Sequence, residues 1–452
     1  MLAAPETRNA RWGVLIVDPD RGDTLYSRDA GKLFVPASNM KIVTGALALE
    51  TLGPDYRFAT PVLAGGAVRD GVLDGDLLIV GRGDPSVSDH MAGDAMAPLR
   101  AIADSLWQRG IRRVLGHVTP YGDAFPDATA GFGWAWDDLD EPYSATIDEL
   151  LFNEGFADLH VKAGGTPGDA VSVRVTPAKS FPRFRVAATT TLRGTGRDSV
   201  AQLTAVKDTA RGDVLLSGTI PVGDSATVPV TFRDQREAFV AALSEALRDR
   251  GIAIGDSTFP LPTRVDTLMI SQSPPLSQIL PAFLKPSQNQ IGEMLFKAVA
   301  LARADTGSAR VARRIVTEQL RAWGAEPDGF IVWDGSGLSR RDLVSPETVV
   351  RVLSTMRKSP RFQTYYDALP IAGVDGTIDT RMRGTRAEAN VRAKTGTLGN
   401  VRSLSGYVTS AGGGQLIFSV LCNNYLTSTA YISRVQDSIA VRLARLSVRS
   451  SR

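Results

Sequence analysis

The sequence predicts an α/β protein of multi-domain α+β type, in which one domain is assembled from both ends of the chain. Apolar strand-like runs stand near both ends, at residues 12–17 and 416–421, and a block of helical patterns precedes the second run. From about 66 to 265 the pattern changes to short strands and isolated helices. The 452 residues are enough for two or three domains with their own cores.

The first elements are a hairpin and a helix. Residues 12–17 predict a strand, residues 18–23 a turn, and residues 24–26 the start of the return strand. A helix is expected to open near Pro36 and to end at residues 52–54, where a glycine is followed by a proline.

The central part of the chain predicts a two-part insert. Strands are expected at 77–80 and 113–118, an amphipathic helix at 96–110 and a further helix at 236–250. Between 168 and 233 the pattern is β-like throughout. The predicted domains are therefore one discontinuous domain, one inserted α/β domain and one small β domain nested in the insert, with bounds 1–65 plus 266–452, 66–167 plus 234–265, and 168–233.

The last third of the chain predicts helices followed by strands and a closing helix. The helices are expected at 276–285, 292–304 and 308–323. The strands are expected at 390–396, 403–408 and 416–421, before a terminal helix at about 428–446.

Composition excludes several classes of protein. Hydrophobic content of 43% and charged content of 22% are ordinary for a globular protein, and no run approaches the roughly 20 apolar residues of a transmembrane helix. The net charge of +3 is scattered, which disfavours nucleic-acid binding. The three histidines, His90, His117 and His160, have no motif that supports a Ser-His-Asp triad or a zinc site. The single cysteine, Cys422, excludes an internal disulfide.

Three short motifs carry the chemistry: Ser-x-x-Lys at 38–41, Ser-x-Asn at 287–289 and Lys-Thr-Gly at 394–396. Together they are typical of a serine nucleophile whose base is a lysine. Ser38 and Lys41 are three residues apart at a helix start and share a face. Burial and a nearby cation, for which Lys394 is the candidate, would lower the pKa of Lys41. The alternative is a surface serine and lysine on an ordinary helix.

The second and third motifs are weaker by themselves. Ser287 can relay a proton to a leaving amine, and Asn289 can hold a substrate carbonyl and contact Lys41. The alternative for this motif is a plain helix cap after Pro286. Gly396 has no side chain, so a substrate backbone can pack against its strand; the alternative is an edge strand with a solvated lysine.

The ordered motifs, with their flanks at 34–41 and 392–407, resemble the low-molecular-mass class C penicillin-binding proteins. These are D-alanyl-D-alanine carboxypeptidases and endopeptidases of serine peptidase family S13. The long insert between the first two motifs also fits this subgroup. The resemblance implies a transpeptidase domain like those of penicillin-binding proteins and serine β-lactamases.

The resemblance also implies roles for individual residues. The catalytic group would be Ser38, Lys41, Ser287, Asn289 and Lys394. Substrate would contact Thr395, Gly396, Thr397 and Leu398, and the backbone N–H groups of Ser38 and Thr397 would form an oxyanion hole. Segments 133–139 and 334–340 resemble family segments that shape a side-chain pocket, which would be lined by Asp138, Tyr143, Ser336, Leu338 and Arg340.

The implied reaction is acyl transfer to water. Ser38 would attack the carbonyl of the penultimate D-Ala of a peptidoglycan stem peptide, and β-lactams would trap the same serine. Asp138 would hold the ammonium of a diaminopimelate-type side chain; a buried Trp-Asp turn is the alternative. No metal or organic cofactor is expected. The family resemblance favours a periplasmic or extracytoplasmic protein whose signal peptide has been removed. A β-lactamase or esterase on the same fold and an inactive wall-binding module remain as rivals.

Overall fold

The structure is a computed structural model, which describes residues 2–179, 181–195, 200–208 and 213–447. The strands are β1 (Arg11–Asp18), β2 (Asp23–Arg28), β3 (Ala59–Ala64), β4 (Ala67–Arg69), β5 (Val72–Asp74), β6 (Leu77–Ile79), β7 (Arg113–Val114), β8 (Val118–Pro120), β9 (Phe156–Lys162), β10 (Ser172–Thr176), β11 (Phe184–Val186), β12 (Thr189–Thr191), β13 (Gln202–Asp208), β14 (Asp213–Pro221), β15 (Ser225–Thr231), β16 (Ala253–Ile254), β17 (Asp266–Gln272), β18 (Phe330–Ile331), β19 (Leu343–Val344), β20 (Arg392–Leu398), β21 (Val401–Thr409) and β22 (Gln415–Asn423). The helices are α1 (Met40–Leu52), α2 (Asp89–Ala92), α3 (Met96–Gln108), α4 (Gln235–Arg250), α5 (Leu276–Leu284), α6 (Asn289–Ala304), α7 (Ala309–Ala322), α8 (Pro346–Lys358), α9 (Phe362–Ala368) and α10 (Thr429–Arg445).

The chain divides into two compact units. The first contains Met1–Arg57, Ala124–Trp136 and Pro274–Arg452, and the second contains Phe58–Asp123 and Asp137–Ser273. The domain bounds expected from the sequence, including the finer division of the insert at 168 and 233, stay predictions.

The first unit is built on a five-stranded antiparallel sheet with the order β2-β1-β22-β21-β20. The two ends of the chain meet in it, because β1 pairs with β22 from Arg11 opposite Asn423 to Val17 opposite Ile417. Alternate residues of these strands pack against α10 in one apolar core, among them Trp12, Phe418 and Ile432. The other face packs against α8, on which α1 lies.

Helix ends in this unit follow the sequence signals. The side chain of Ser345 caps α8 by accepting from the backbone N–H of Thr348, with Pro346 in the first turn. Ser428 caps α10 and Ser308 caps α7 in the same way. No element was expected at α8 or α9, although the cap and the proline that begin α8 are visible in the sequence.

The segment Ala124–Trp136, expected in the insert, groups with the first unit. Its contacts explain this grouping. The backbone N–H of Gly307 donates to the carbonyl of Ala124, and Lys297 Nζ lies 3.4 Å from Asp127 Oδ2. The composition of this loop contains no strand or helix period that could have assigned it.

The second unit contains four small sheets and one apolar core that α3 and α4 share. Two sheets have the orders β17-β3-β6-β8 and β16-β7-β5-β4. A three-stranded sheet has the order β10-β9-β15, and β14 pairs with β11, β12 and β13 in a fourth. Trp107 is flanked by two guanidinium groups, with Arg112 at 3.7 Å and Arg250 at 4.7 Å from its ring centroid.

The strand expected at 113–118 is wrong as a single element. The structure splits it into β7 and β8, which lie in different sheets. The chain changes direction at Gly116, where a Cβ would lie 2.1 Å from Asp76 Oδ1. The same Cβ would lie 3.0 Å from the carbonyl oxygen of Gly75, so the close approach of these groups favours a glycine inside an otherwise strand-like run. Among the described residues, no helix has the length and apolarity needed to cross a membrane.

Candidate active site

Ser38 lies in a single 3-10 turn, Ala37–Asn39, that leads directly into α1. The segment before it is fixed to the sheet, because the Asn423 side chain bonds both the N–H and the carbonyl of Val35. Ala37 has φ 49°, in the left-handed region that non-glycine residues rarely adopt. Strain of this kind is characteristic of functional sites, and here it directly precedes the predicted nucleophile.

Lys41 connects three elements through one amine. Its Nζ lies 2.9 Å from Ser38 Oγ, 2.6 Å from Asn289 Oδ1 and 2.8 Å from the carbonyl oxygen of Ser336. The amide oxygen and the backbone carbonyl can only accept, so they take two N–H bonds of the amine. The remaining position faces the Ser38 hydroxyl. In the neutral amine that position holds the lone pair, which can take the serine proton.

Burial makes the neutral amine accessible near neutral pH. Lys41 is 0% exposed, and burial lowers its pKa to about 7, while the carboxylates of Asp334 and Glu293 oppose this shift. Lys394 is also 0% exposed, and its pKa falls well below the ordinary value because of burial and then the charge of Lys41. The electrostatic effect of the lysine pair therefore appears on Lys394, whereas burial is the cause that lowers the pKa of Lys41.

This pKa sets an expected pH dependence. Acylation by a penicillin should rise with pH along a limb centred near 7, because protonated Lys41 has no lone pair to accept the Ser38 proton. Well below the midpoint the rate should fall about tenfold per pH unit. Labelling rates across the range from about pH 5 to about pH 9 measure the limb. A midpoint near the ordinary lysine pKa would contradict this account.

The second motif lies at the start of α6. Ser287 is half-buried with φ 69°, and Asn289 is the first residue of the helix. Two residues before Ser287, Lys285 is held by Asp375, with Nζ 2.5 Å from Oδ2. The backbone carbonyl of Lys285 also accepts from the N–H of Thr377. The chain just before Ser287 is thus held through both the side chain and the backbone of Lys285.

The third motif lies on β20, at the edge of the sheet, where it is hydrogen-bonded to β21. A Cβ on Gly396 would lie 2.6 Å from the carbonyl oxygen of Pro36 and 2.9 Å from the backbone nitrogen of Ser38. The glycine is therefore required by the packing of β20 on the nucleophile's own turn, a reason that the sequence did not reveal. Thr397, the next residue, is exposed, and Leu398 is half-buried.

One further contact joins the first and third motifs, and two more fix the third. Asn39 Nδ2 donates to the carbonyl of Lys394 at 2.8 Å, and Lys394 Nζ donates to the carbonyl of Thr395 at 3.0 Å. The Thr395 hydroxyl lies 2.7 Å from the hydroxyl of Thr377. Sequence reasoning missed Asn39, whose position inside the first motif was the signal that could have found it.

The loop at 334–340 contacts the Lys41 amine through the carbonyl of Ser336. Asp334 accepts from the N–H groups of Gly337 and Ser339, each at 2.7 Å. Ser336 and Leu338 are buried, at 0% and 6% exposure. Of the three predicted pocket residues in this loop, Arg340 is the exposed one, and its guanidinium donates twice to the carbonyl of Gly399 at 3.2 Å. Ser336 reaches the site through its backbone carbonyl.

The remaining predicted pocket residues, Asp138 and Tyr143, lie in the second unit. The Tyr143 hydroxyl donates to Asp138 Oδ1 at 2.6 Å. Desolvation and the Asp138 carboxylate raise the pKa of Tyr143 above its usual range, so the phenol stays a donor. Their place in a substrate pocket stays a prediction. No group of three or more His, Cys, Asp or Glu side chains suited to a metal ion occurs within the described ranges.

A serine hydroxyl facing a buried lysine of lowered pKa defines a class of enzyme that transfers acyl groups through a serine ester, with lysine as the base. The comparisons with known proteins identify the family within this class. The model of the D-Ala-D-Ala carboxypeptidase 3 (S13) family matches residues 1–446, and the chain belongs to this family.

Named relatives agree with this assignment. The D-alanyl-D-alanine carboxypeptidase of Actinomadura sp. (strain R39) is 36% identical over 464 residues, covering 98% of this chain and 83% of that protein. The D-alanyl-D-alanine carboxypeptidase DacB of Haemophilus influenzae is 30% identical and covers 94% of this chain and 87% of its own length. The crystal structure of penicillin binding protein 4 (dacB) from H. influenzae has a TM-score of 0.82 at 25% identity, covering 97% of each chain.

Three expectations from the sequence are confirmed at this level. They are the class C penicillin-binding family, the multi-domain α/β fold, and a serine-type D-Ala-D-Ala carboxypeptidase as the kind of enzyme. A second structure of the H. influenzae protein is a complex with a β-lactam. The roles of individual residues are proposals about this chain.

Proposed function

We propose that Ser38 forms an acyl-enzyme with peptidoglycan stem peptides that end in D-Ala-D-Ala. The main support for this acyl-enzyme is the geometry of the Lys41 amine. The amine donates to Asn289 Oδ1 and to the Ser336 carbonyl while it faces the Ser38 hydroxyl. Two of its hydrogen bonds are satisfied by groups that cannot titrate. The lone pair of the neutral amine is therefore aimed at the one hydroxyl that has a proton to give.

Acylation follows from this geometry. Lys41 takes the Ser38 proton as Oγ bonds to the carbonyl carbon of the penultimate D-Ala. The bond to the terminal D-Ala nitrogen then breaks, and that amine leaves with a proton delivered through Ser287. The backbone N–H groups of Ser38 and Thr397 are proposed to hold the oxyanion, and each donor is typically worth about 3 kcal/mol. The tight packing of Gly396 on Ser38 supports this pairing.

Water then completes the reaction. It attacks the ester carbonyl with Lys41 as base, releasing the shortened peptide and restoring the serine. A cross-linked stem gives the same acyl-enzyme when the leaving amine belongs to the side chain of a neighbouring stem, so endopeptidase action needs no additional group. β-Lactams present a strained amide to Ser38 and are proposed to stop at the ester.

The substrate is proposed to be outside the cytoplasm, since peptidoglycan stem peptides lie there. The reading as a carboxypeptidase is tested by D-alanine release from an N-acetylated pentapeptide ending in D-Ala-D-Ala. Release is expected from this peptide and not from a matched peptide ending in L-Ala. Rapid turnover of penicillin with no D-alanine release would favour the β-lactamase or esterase rival. If neither D-alanine release nor penicillin turnover occurred, the result would favour an inactive wall-binding module.

Asp138 is proposed to select stems with a free ammonium on the third residue, together with the hydroxyl of Tyr143. Asp138→Asn should lower kcat/KM about tenfold for a diaminopimelate peptide, the loss of roughly one charge-assisted contact. For the same peptide with its side-chain amine acetylated, Asp138→Asn should leave kcat/KM unchanged. Asp140→Asn, two residues further, is the matched control, because Asp140 is exposed and pairs with Lys207. Equal losses on both peptides would contradict this role.

A further inference from the structure

Glu293 is a buried carboxyl that the reaction above does not use. It lies four residues after Asn289 on α6, on the same face of the helix, and is 4% exposed. Its Oε1 accepts the backbone N–H groups of Gly335 and Ser336, at 3.1 and 2.8 Å. The backbone carbonyl of the same residue, Ser336, accepts a hydrogen bond from Lys41 Nζ at 2.8 Å.

The backbone around Ser336 is enclosed on its other sides. A Cβ on Gly335 would lie 2.5 Å from the carbonyl oxygen of Gly292, so the loop packs directly against α6. The Thr44 hydroxyl donates to the carbonyl of Gly335 at 2.7 Å. Without the Glu293 acceptor, two buried N–H groups would have no partner in this packing, and buried donors left unpaired are costly.

We propose that Glu293 is a positioning residue for acylation, which holds the Gly335–Ser336 backbone so that the Ser336 carbonyl fixes Lys41 toward Ser38. The inference rests on the proposed function, because it assigns Glu293 to the support of that same base. Glu293 contacts no substrate atom in this role. It acts through the orientation of one backbone carbonyl.

The charge state of Glu293 bears on the titration of Lys41. Burial and the nearby Asp334 carboxylate raise the pKa of Glu293 to about 8, while its backbone hydrogen bonds oppose the shift. The carboxyl is therefore largely protonated where Lys41 titrates, near pH 7. A neutral side chain at this position should leave the midpoint of Lys41 titration close to that of wild type.

Two variants separate the acceptor from the charge. Glu293→Gln keeps an oxygen that can accept both N–H groups but has no charge, whereas Glu293→Met has neither. The acylation rate constant with a penicillin is expected to fall at least about tenfold in E293M at the pH optimum, with binding before acylation unchanged. E293Q is expected to stay within about threefold of wild type, with its acid limb close to that of wild type.

The control is Glu50→Gln, the same substitution near the end of the helix that carries Lys41. Glu50 is held by Ser359 and Arg361, so this variant should match wild type in rate and midpoint. Equal rates in E293Q and E293M, or a rate in E293Q at least about tenfold below wild type, would overturn the inference. E293Q alone decides the second point if E293M fails to fold. Absence of acylation in wild type would instead defeat the proposed function, and this inference with it.

Discussion

Replacing Lys41 by methionine is expected to slow acylation by a penicillin by at least about 10³-fold, within the range of a lost general base. Methionine nearly fills the same volume, so the change removes the amine without opening a large cavity. Ser38 would keep its hydroxyl and lose the only group the structure shows facing it within hydrogen-bond distance among the described residues. The rate of labelling by a fluorescent penicillin, measured at several pH values, reports the loss.

The matched control is Lys297→Met. Lys297 is also buried, at 5% exposure, but its amine pairs with Asp127. This variant should acylate within about threefold of wild type, because no contact joins it to the Lys41 amine. If K41M were labelled as fast as wild type, or retained a limb centred near pH 7, another group would be the base.

Replacing Ser38 by alanine is expected to reduce D-alanine release by at least about 10⁴-fold, since the covalent route is lost entirely. The variant removes one oxygen and one hydrogen bond, so its thermal stability should stay close to that of wild type. D-Alanine released from a D-Ala-D-Ala peptide is the measurement. Ser354→Ala, on α8, is the matched control and should retain full activity.

One result would contradict this second expectation. Release by S38A within about tenfold of wild type would mean that a different residue, or water acting directly, attacks the peptide. Ser287 is the first alternative to examine in that case, because its left-handed backbone also marks a constrained position.

The arrangement of the three motifs could be predicted from sequence because each motif is local. Ser38 and Lys41 lie three positions apart on a helical turn, and this spacing alone brings their side chains together. The contact of Lys41 with Asn289 joins residues 248 positions apart and was expected from the chemistry of the second motif. The pairing of both chain ends in one sheet could be expected from the apolar runs, which need a common core.

Other features could not be read from the sequence. Glu293 is one acidic residue on a helix, and only the folded chain shows that its carboxyl meets the backbone beneath Lys41. Gly396 is required because a Cβ there would lie 2.9 Å from the backbone nitrogen of Ser38. Ser38 lies 358 positions earlier in the chain, and no local pattern encodes that contact. The 113–118 run was misassigned because β propensity does not reveal which sheet a short strand joins.

The site keeps features that a structure selected for stability alone would avoid. Lys41 and Lys394 are both fully buried, and desolvation disfavours their charged forms. Lysines are almost never fully buried without compensation, and perturbed pKa values cluster at functional sites. The cost of burial is what brings the Lys41 amine to a pKa at which it can act as a base.

Mass spectrometry after incubation with a penicillin shows whether Ser38 forms an acyl-enzyme. One adduct with the full mass of the penicillin is expected, located by peptide mapping on Ser38 and absent from Ser38→Ala. An adduct on another residue would contradict the assignment of the nucleophile. Intact penicillin with no adduct would contradict the catalytic account, and consumed penicillin with no adduct would identify a rapidly turning over hydrolase instead.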